Sequence, residues 1–143
     1  PNLNFVQGDI LKTSLPKKSF DIIICCSAIE HIGLVGRYSS QPENEDADLE
    51  AMKNIKNLLK PTGKLLLTIP VGRDGVYKPY HRVYGNKRLP KLLAGFYVQK
   101  SQYWAKLDER KWQLVSRSVA LDICSSEKIY ALGLYDLRLN RNS

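Results

Sequence analysis

Short continuous apolar runs alternate along this chain with one long amphipathic stretch. Asn4 to Ile10, "NFVQGDI", predicts a short strand ending at Gly8-Asp9. "LPKKSF" follows as a loop, punctuated by Pro16 and two lysines. Phe20 to Cys26, "FDIIICC", is apolar without alternation, which predicts a strand buried on both faces in a central, parallel position. That run breaks abruptly into Ser27, Glu30 and His31. Residues 33 to 45 carry Gly33, Gly36, Ser39, Ser40 and Pro42 and read as a loop. Asp46 to Lys60 reads as a helix, because Leu49, Met52, Ile55 and Leu59 recur at three- and four-residue spacing. Its acids lie at the N-terminal end and its lysines toward the C-terminus, as the helix dipole favours. Pro61-Thr62-Gly63 should stop it.

"GKLLLTIPVG" predicts a further buried strand over residues 64 to 70, closed by Pro70 and Gly72. "YGNKRLPKLLAGF" reads as a short helix interrupted at Pro90 and ended at Gly95. Tyr97 to Tyr103, Trp112 to Ala120 and residues 128 to 139 read as strands. Trp104 and Trp112 flank a hairpin and are expected to pack in the core. Strands alternating with helices predict an α/β fold with a mostly parallel sheet and antiparallel terminal strands. In such sheets ligands bind beyond the carboxyl ends of the strands. Gly8-Asp9, Ser27 to His31 and Pro70 to Gly72 all fall at such ends, so the polar cluster should rim a crevice.

Composition narrows the class. At 143 residues the chain can bury one core, and 43% apolar with 25% charged residues is ordinary for a soluble domain. No apolar run approaches the roughly 18 residues of a membrane span, and no signal peptide is visible. Three cysteines without framework spacing suit a reducing, cytoplasmic setting. Cys25 and Cys26 are neighbours in a strand, point to opposite faces and cannot form a metal or redox pair; no metal site is expected. The net charge of +8 is uneven. Residues 43 to 50 hold five acids, whereas Lys53 to Lys106 hold twelve Lys and Arg against Asp74 alone. A solvated set of faces accounts for this more simply than a nucleic-acid surface, since no aromatic and basic RNA motif is interleaved.

The order of "FVQGDI", "SFDIIICCSAIEHI" and "DLEAMKNIKNLLKPTGKLLLTIPVG" resembles the second half of class I S-adenosylmethionine-dependent methyltransferases. Within these, "IEHIGLVGRY" and "HRVYGNKRLPKLLAGF" resemble the DUF268 branch. The resemblance implies a Rossmann-like fold, S-adenosylmethionine as cofactor and a small-molecule methyl acceptor. It places Asp9 at the adenine amino group, Ile10 against the purine face, and Ser27 and Ala28 along the methionine arm. His31 would lie at the substrate mouth as a possible general base, with Arg37, Tyr38, His81, Arg82 and Tyr84 reading the acceptor. Each has a plainer reading: Asp9 as a turn residue, Glu30 and His31 as packed, hydrogen-bonded groups, and the loop cations as surface charges.

The glycine-rich loop after the family's first strand, and the acid ending its second, have no counterpart in these residues. In the family order 3-2-1-4-5-7-6, residues 4 to 10 would be strand 3 without its neighbour. The expectation is therefore a C-terminal portion of one methyltransferase-like domain over residues 1 to 143. An upstream segment, a swapped strand or a companion chain would complete the sheet, and the portion alone would be inactive. Two other readings stay open: a non-catalytic scaffold or assembly subunit, and a nucleic-acid methyltransferase. "SAIEHI" in place of an Asn-Pro-Pro-Tyr-like segment argues for a small molecule.

Overall fold

The computed structural model describes residues 3–35, 43–77, 81–108, 111–126 and 129–140. In chain order its elements are β1 (Phe20–Cys26), α1 (Ala47–Leu58), β2 (Leu59–Val71), β3 (Gly75–Tyr77), β4 (His81–Val83), α2 (Arg88–Leu92), β5 (Phe96–Lys106), β6 (Trp112–Val115), α3 (Arg117–Asp122) and β7 (Tyr130–Leu139). Turns of 3₁₀ helix occupy Ile10–Lys12 and Ile29–His31. Five strands form one sheet in the order β1-β2-β7-β5-β6, and β3 with β4 makes a separate hairpin. The β1–β2 pair is parallel; the other three pairings of the large sheet are antiparallel. The fold is the mixed α/β, Rossmann-like class expected from the sequence.

Period-two alternation divides the faces of β2. Leu65, Leu67 and Ile69 are buried, while Lys64, Leu66 and Thr68 are only partly covered. The buried face joins Ala51, Met52 and Ile55 of α1 with Leu89 and Leu92 of α2 in one core. Helix α1 ends at Leu58, two residues short of the expected Lys60, and β2 starts at Leu59. Pro61-Thr62-Gly63 thus sits inside a strand, in an irregularity where Phe20 pairs with Leu59 and Ile22 with Lys64. Gly63 permits the close approach: a Cβ there would lie 2.9 Å from the Phe20 carbonyl oxygen.

Four sequence expectations need correction. Asn4 to Ile10 is not a strand: residues 3 to 9 are irregular, with Leu3 and Phe5 exposed, and Ile10 opens a 3₁₀ turn. A strand needs a partner for its amides and carbonyls, and none is present among the described residues. Strand β1 is not buried on both faces. Ile23 and Cys25 are partly covered on one side, while Ile22 and Ile24 are 51% and 70% exposed on the other. It also lies at the end of the sheet, paired to β2 alone. Trp112 to Ala120 divides into β6 and α3, because the Ser116 hydroxyl accepts from the Val119 amide at 3.3 Å and caps a helix. Trp112 is not a core residue; it stays 40% exposed, edge-on to Tyr130 at 5.1 Å.

The β3–β4 hairpin, unforeseen in the sequence, is held by Asp74. Its carboxylate accepts from the Gly85 and Arg88 amides at 2.9 Å and from the Lys87 amide at 2.8 Å. Burial would raise its pKa, but these three bonds outweigh burial and lower it. Its contribution is therefore present above the ordinary aspartate pKa and is lost as pH falls through the lowered value. Asp74→Ala should cost about 1 to 2 kcal/mol, read as a lower urea midpoint at neutral pH.

Candidate functional site

Strand β1 ends in a strained residue. Ser27 has φ +47°, in the left-handed region that non-glycine side chains avoid. Its amide donates to the Thr68 carbonyl at 3.0 Å and to Thr68 Oγ1 at 3.1 Å, and its hydroxyl lies 3.3 Å from the same oxygen. Neighbouring β2 thus pins the turn, and strain held in this way concentrates at sites that position a ligand. Ser27 and Ala28 are exposed beside it.

The next residues turn inward. Ile29 is fully buried, and the Glu30 side chain is 2% exposed with Oε2 lacking a hydrogen-bond partner. Glu30 Oε1 lies 3.8 Å from Nε2 of His31, whose own side chain is 21% exposed. Burial drives the Glu30 carboxyl up to about 7. His81 on β4 comes edge-on to His31 at 6.3 Å and stacks on Tyr77 of β3 at 5.6 Å. Burial, then the charge on His31, pushes His81 below the ordinary histidine value. The Tyr77 hydroxyl donates to the Ser125 carbonyl. Two imidazoles and a carboxyl from segments fifty residues apart thereby meet at the carboxyl end of β1.

Beneath them lies a buried polar network. Arg82, 1% exposed, donates through Nη1 to the Ile32 carbonyl at 2.5 Å and through Nη2 to the Asn44 and Glu45 carbonyls at 3.1 and 3.2 Å. Its Nε is 3.9 Å from Asp48, which is fully buried. Asp48 also accepts from the Tyr84 hydroxyl and from Arg88 Nε, each at 3.0 Å. Burial and then Asp48 raise the Tyr84 phenol, while the bond to Asp48 raises Arg88.

The expected site residues therefore separate. Ser27, Ala28, His31 and His81 gather at one strand end. Arg82 and Tyr84, expected to read the acceptor, are instead buried and committed to internal partners. Asp9 is exposed and caps the 3₁₀ turn through a 2.9 Å bond from the Leu11 amide, and Ile10 packs against the core. Arg37 and Tyr38 lie outside the described residues. Glu30 was undervalued, and Asp48 and Arg88 were missed. The charge skew held the signal, since the acidic run at 43–50 folds against the basic run that contains Arg82 and Arg88.

On the uncovered face of the sheet, a groove of about 340 Å³ runs past Ile24, Cys26, Leu66, Thr68, Gln102 and Leu134. Burial raises the Cys25 thiol at its edge. No helix among the described residues is long and apolar enough to cross a membrane. Nor does any group of three His, Cys, Asp or Glu side chains among them form a metal site.

The family model described as "Caenorhabditis protein of unknown function, DUF268" matches residues 10–136. No curated protein sequence matches. Among solved structures, a protein of Bacillus halodurans C-125 superposes with TM-score 0.61 at 14% identity, over 95% of this chain and 77% of that one. The [4+2]-cyclase SpnF gives 0.59 at 14%, over 95% and 56%. The 1,6-didemethyltoxoflavin-N1-methyltransferase of Burkholderia thailandensis, solved with S-adenosylhomocysteine, gives 0.55 at 18%, over 95% and 51%. The chain spans between 43 and 60% of the length of four such matches. Identities this low establish the methyltransferase-like fold and nothing narrower.

Two outcomes follow from the buried groups. Asp48→Asn should destabilise by about 3 to 5 kcal/mol in chemical denaturation, since it leaves two guanidinium groups under-compensated, whereas Tyr84→Phe should cost only about 1 kcal/mol. Glu30 is raised from 4.5 to about 7, so the folded state binds its proton more tightly than the unfolded chain. Stability should be highest below pH 4.5 as far as this group is concerned, and fall as pH rises toward and through 7, by up to about 3 kcal/mol. Glu30→Gln should flatten that slope in denaturation midpoints collected across the range.

Proposed function

The chain belongs to the DUF268 family, and we propose that it is part of an S-adenosylmethionine-dependent methyltransferase acting on a small-molecule acceptor in the cytoplasm. The observation that carries this reading is the coincidence, at one strand end, of strained Ser27 with the Glu30, His31 and His81 cluster. Ser27 and Ala28 would hold the methionine arm of the cofactor, where their exposed positions fit one side of it. Asp9 would meet the adenine, since its second carboxylate oxygen remains available beside the one bonded to Leu11, and Ile10 would lie against the purine. The bound cofactor would supply an electrophilic methyl group on a sulfonium. The protein supplies placement of the acceptor and a nearby base. His81, stacked on Tyr77, would form the wall of the acceptor pocket.

Among the described residues, strand β1 exposes both an unpaired edge and an apolar face. A strand carrying a phosphate-free, glycine-rich turn and followed by a helix would cover both at once. We assign that role to an upstream segment of the same protein, which would also grip the ribose and methionine ends. The cyclase SpnF shares the fold, so catalysis has to be measured rather than assumed.

Calorimetry with S-adenosylhomocysteine on the upstream-extended protein tests the reading. Micromolar binding is expected, and Asp9→Ala should weaken it by roughly 1.5 to 3 kcal/mol. No binding would leave the scaffold reading in its place, and methylation of nucleic acid in preference to small acceptors would leave the other. The 143 residues alone should associate through β1. A monomeric mass with a cooperative melt would show that no further strand is needed.

A further inference from the structure

Glu30 stands out among the polar groups of the molecule. Asp48 and Arg82, equally buried, have several partners each, whereas Glu30 Oε2 has none. A buried carboxyl without a partner costs stability, and a glutamine or leucine would fill the same volume more cheaply. Its side chain approaches His31, with Nε2 3.8 Å from Oε1. The 3₁₀ turn fixes both residues: Ile29 anchors it in the core, and the Glu30 and Ile32 carbonyls are held by Arg82.

We propose that Glu30 is a positioning residue for His31, and that the two form an acid–base pair which takes the proton from the methyl acceptor. The inference rests on the methyl-transfer reading for its substrate, but not for the pairing itself. From 3.8 Å, the ionised carboxylate favours a proton on the His31 ring by its charge. In the transfer step the acceptor atom gives its proton to His31 and its electron pair to the methyl carbon. A bound S-adenosylmethionine would supply that methyl group and keep the electrons of the broken bond on sulfur as a neutral thioether. The imidazolium so formed is stabilised by Glu30. His81 then borders the acceptor, unable to carry a second charge readily beside His31 in a half-buried site.

Other groups face Glu30 and bear on its titration. Cys25 on β1 and Tyr84 beyond β4 both feel its charge, and Arg82 reaches its main-chain carbonyl at 3.5 Å. Asp48 on α1 lies on the far side of Arg82. Burial raises both the Cys25 thiol and the Tyr84 phenol, away from neutrality, whereas burial and His31 push His81 downward.

Two measurements on the upstream-extended protein decide the matter. First, the Glu30 carboxyl is followed by carbon-13 NMR through a pH titration, in wild type and in His31→Gln. The pairing predicts a clear upward move of its midpoint when the imidazole is removed; an unchanged midpoint overturns it. Second, the pH profile of methyl transfer is compared in wild type, Glu30→Gln and Glu30→Asp. The expected result is a rate that falls below about pH 7 in wild type, a 10- to 100-fold lower kcat with that limb moved to lower pH and KM unchanged in Glu30→Gln, and partial recovery in Glu30→Asp. Retention of the wild-type profile in Glu30→Gln also overturns it. If wild type transfers no methyl group, the functional reading fails, while the carboxyl titration still decides the pair.

Discussion

Arg82 gathers the pieces of this structure that lie far apart in sequence. Its guanidinium reaches the Ile32 carbonyl after the 3₁₀ turn, the Asn44 and Glu45 carbonyls before α1, and the flank of Asp48 inside α1. A cation removed from water is costly unless its donors are satisfied. Here the planar fork of five donors meets carbonyls that would otherwise be left over where the chain changes direction. Arg88 completes the arrangement from α2 by binding Asp48 as well. The turn that carries Glu30 and His31 is therefore tied to both the hairpin and the first helix.

The position of that tie explains the character of the strand end. Strand β1 delivers Ser27 in a left-handed conformation, and Thr68 of β2 secures it through amide and hydroxyl contacts. Beyond it the chain drops Ile29 into the core and leaves Glu30 buried without a full set of partners. Burial in that setting raises the carboxyl's pKa to about 7. The core below is ordinary, built from alternating Leu65, Leu67 and Ile69 against two helices.

The opposite face of the sheet is unlike the first. Ile22 and Ile24 are exposed there, next to a strand edge with no partner among the described residues. An apolar face and a free edge on one strand call for a cover that has both a strand and a helix. The chain spans 43 and 51% of the length of two of the solved structures it resembles.

Local pattern was enough to determine the main elements, since the apolar run of β1, the three- and four-residue spacing of α1 and the alternation in β2 each depend on near neighbours. The order of those elements also carried the fold class. Sequence could not decide the fate of residues 4 to 10, because strand formation depends on a partner supplied by other parts of the sheet. Nor could it show that Arg82 is structural, which is decided only when tertiary packing buries it against carbonyls nearly forty residues away. The standing of Glu30 was likewise fixed only by folding, because a carboxyl's proton affinity depends on how much water the surrounding chain leaves it.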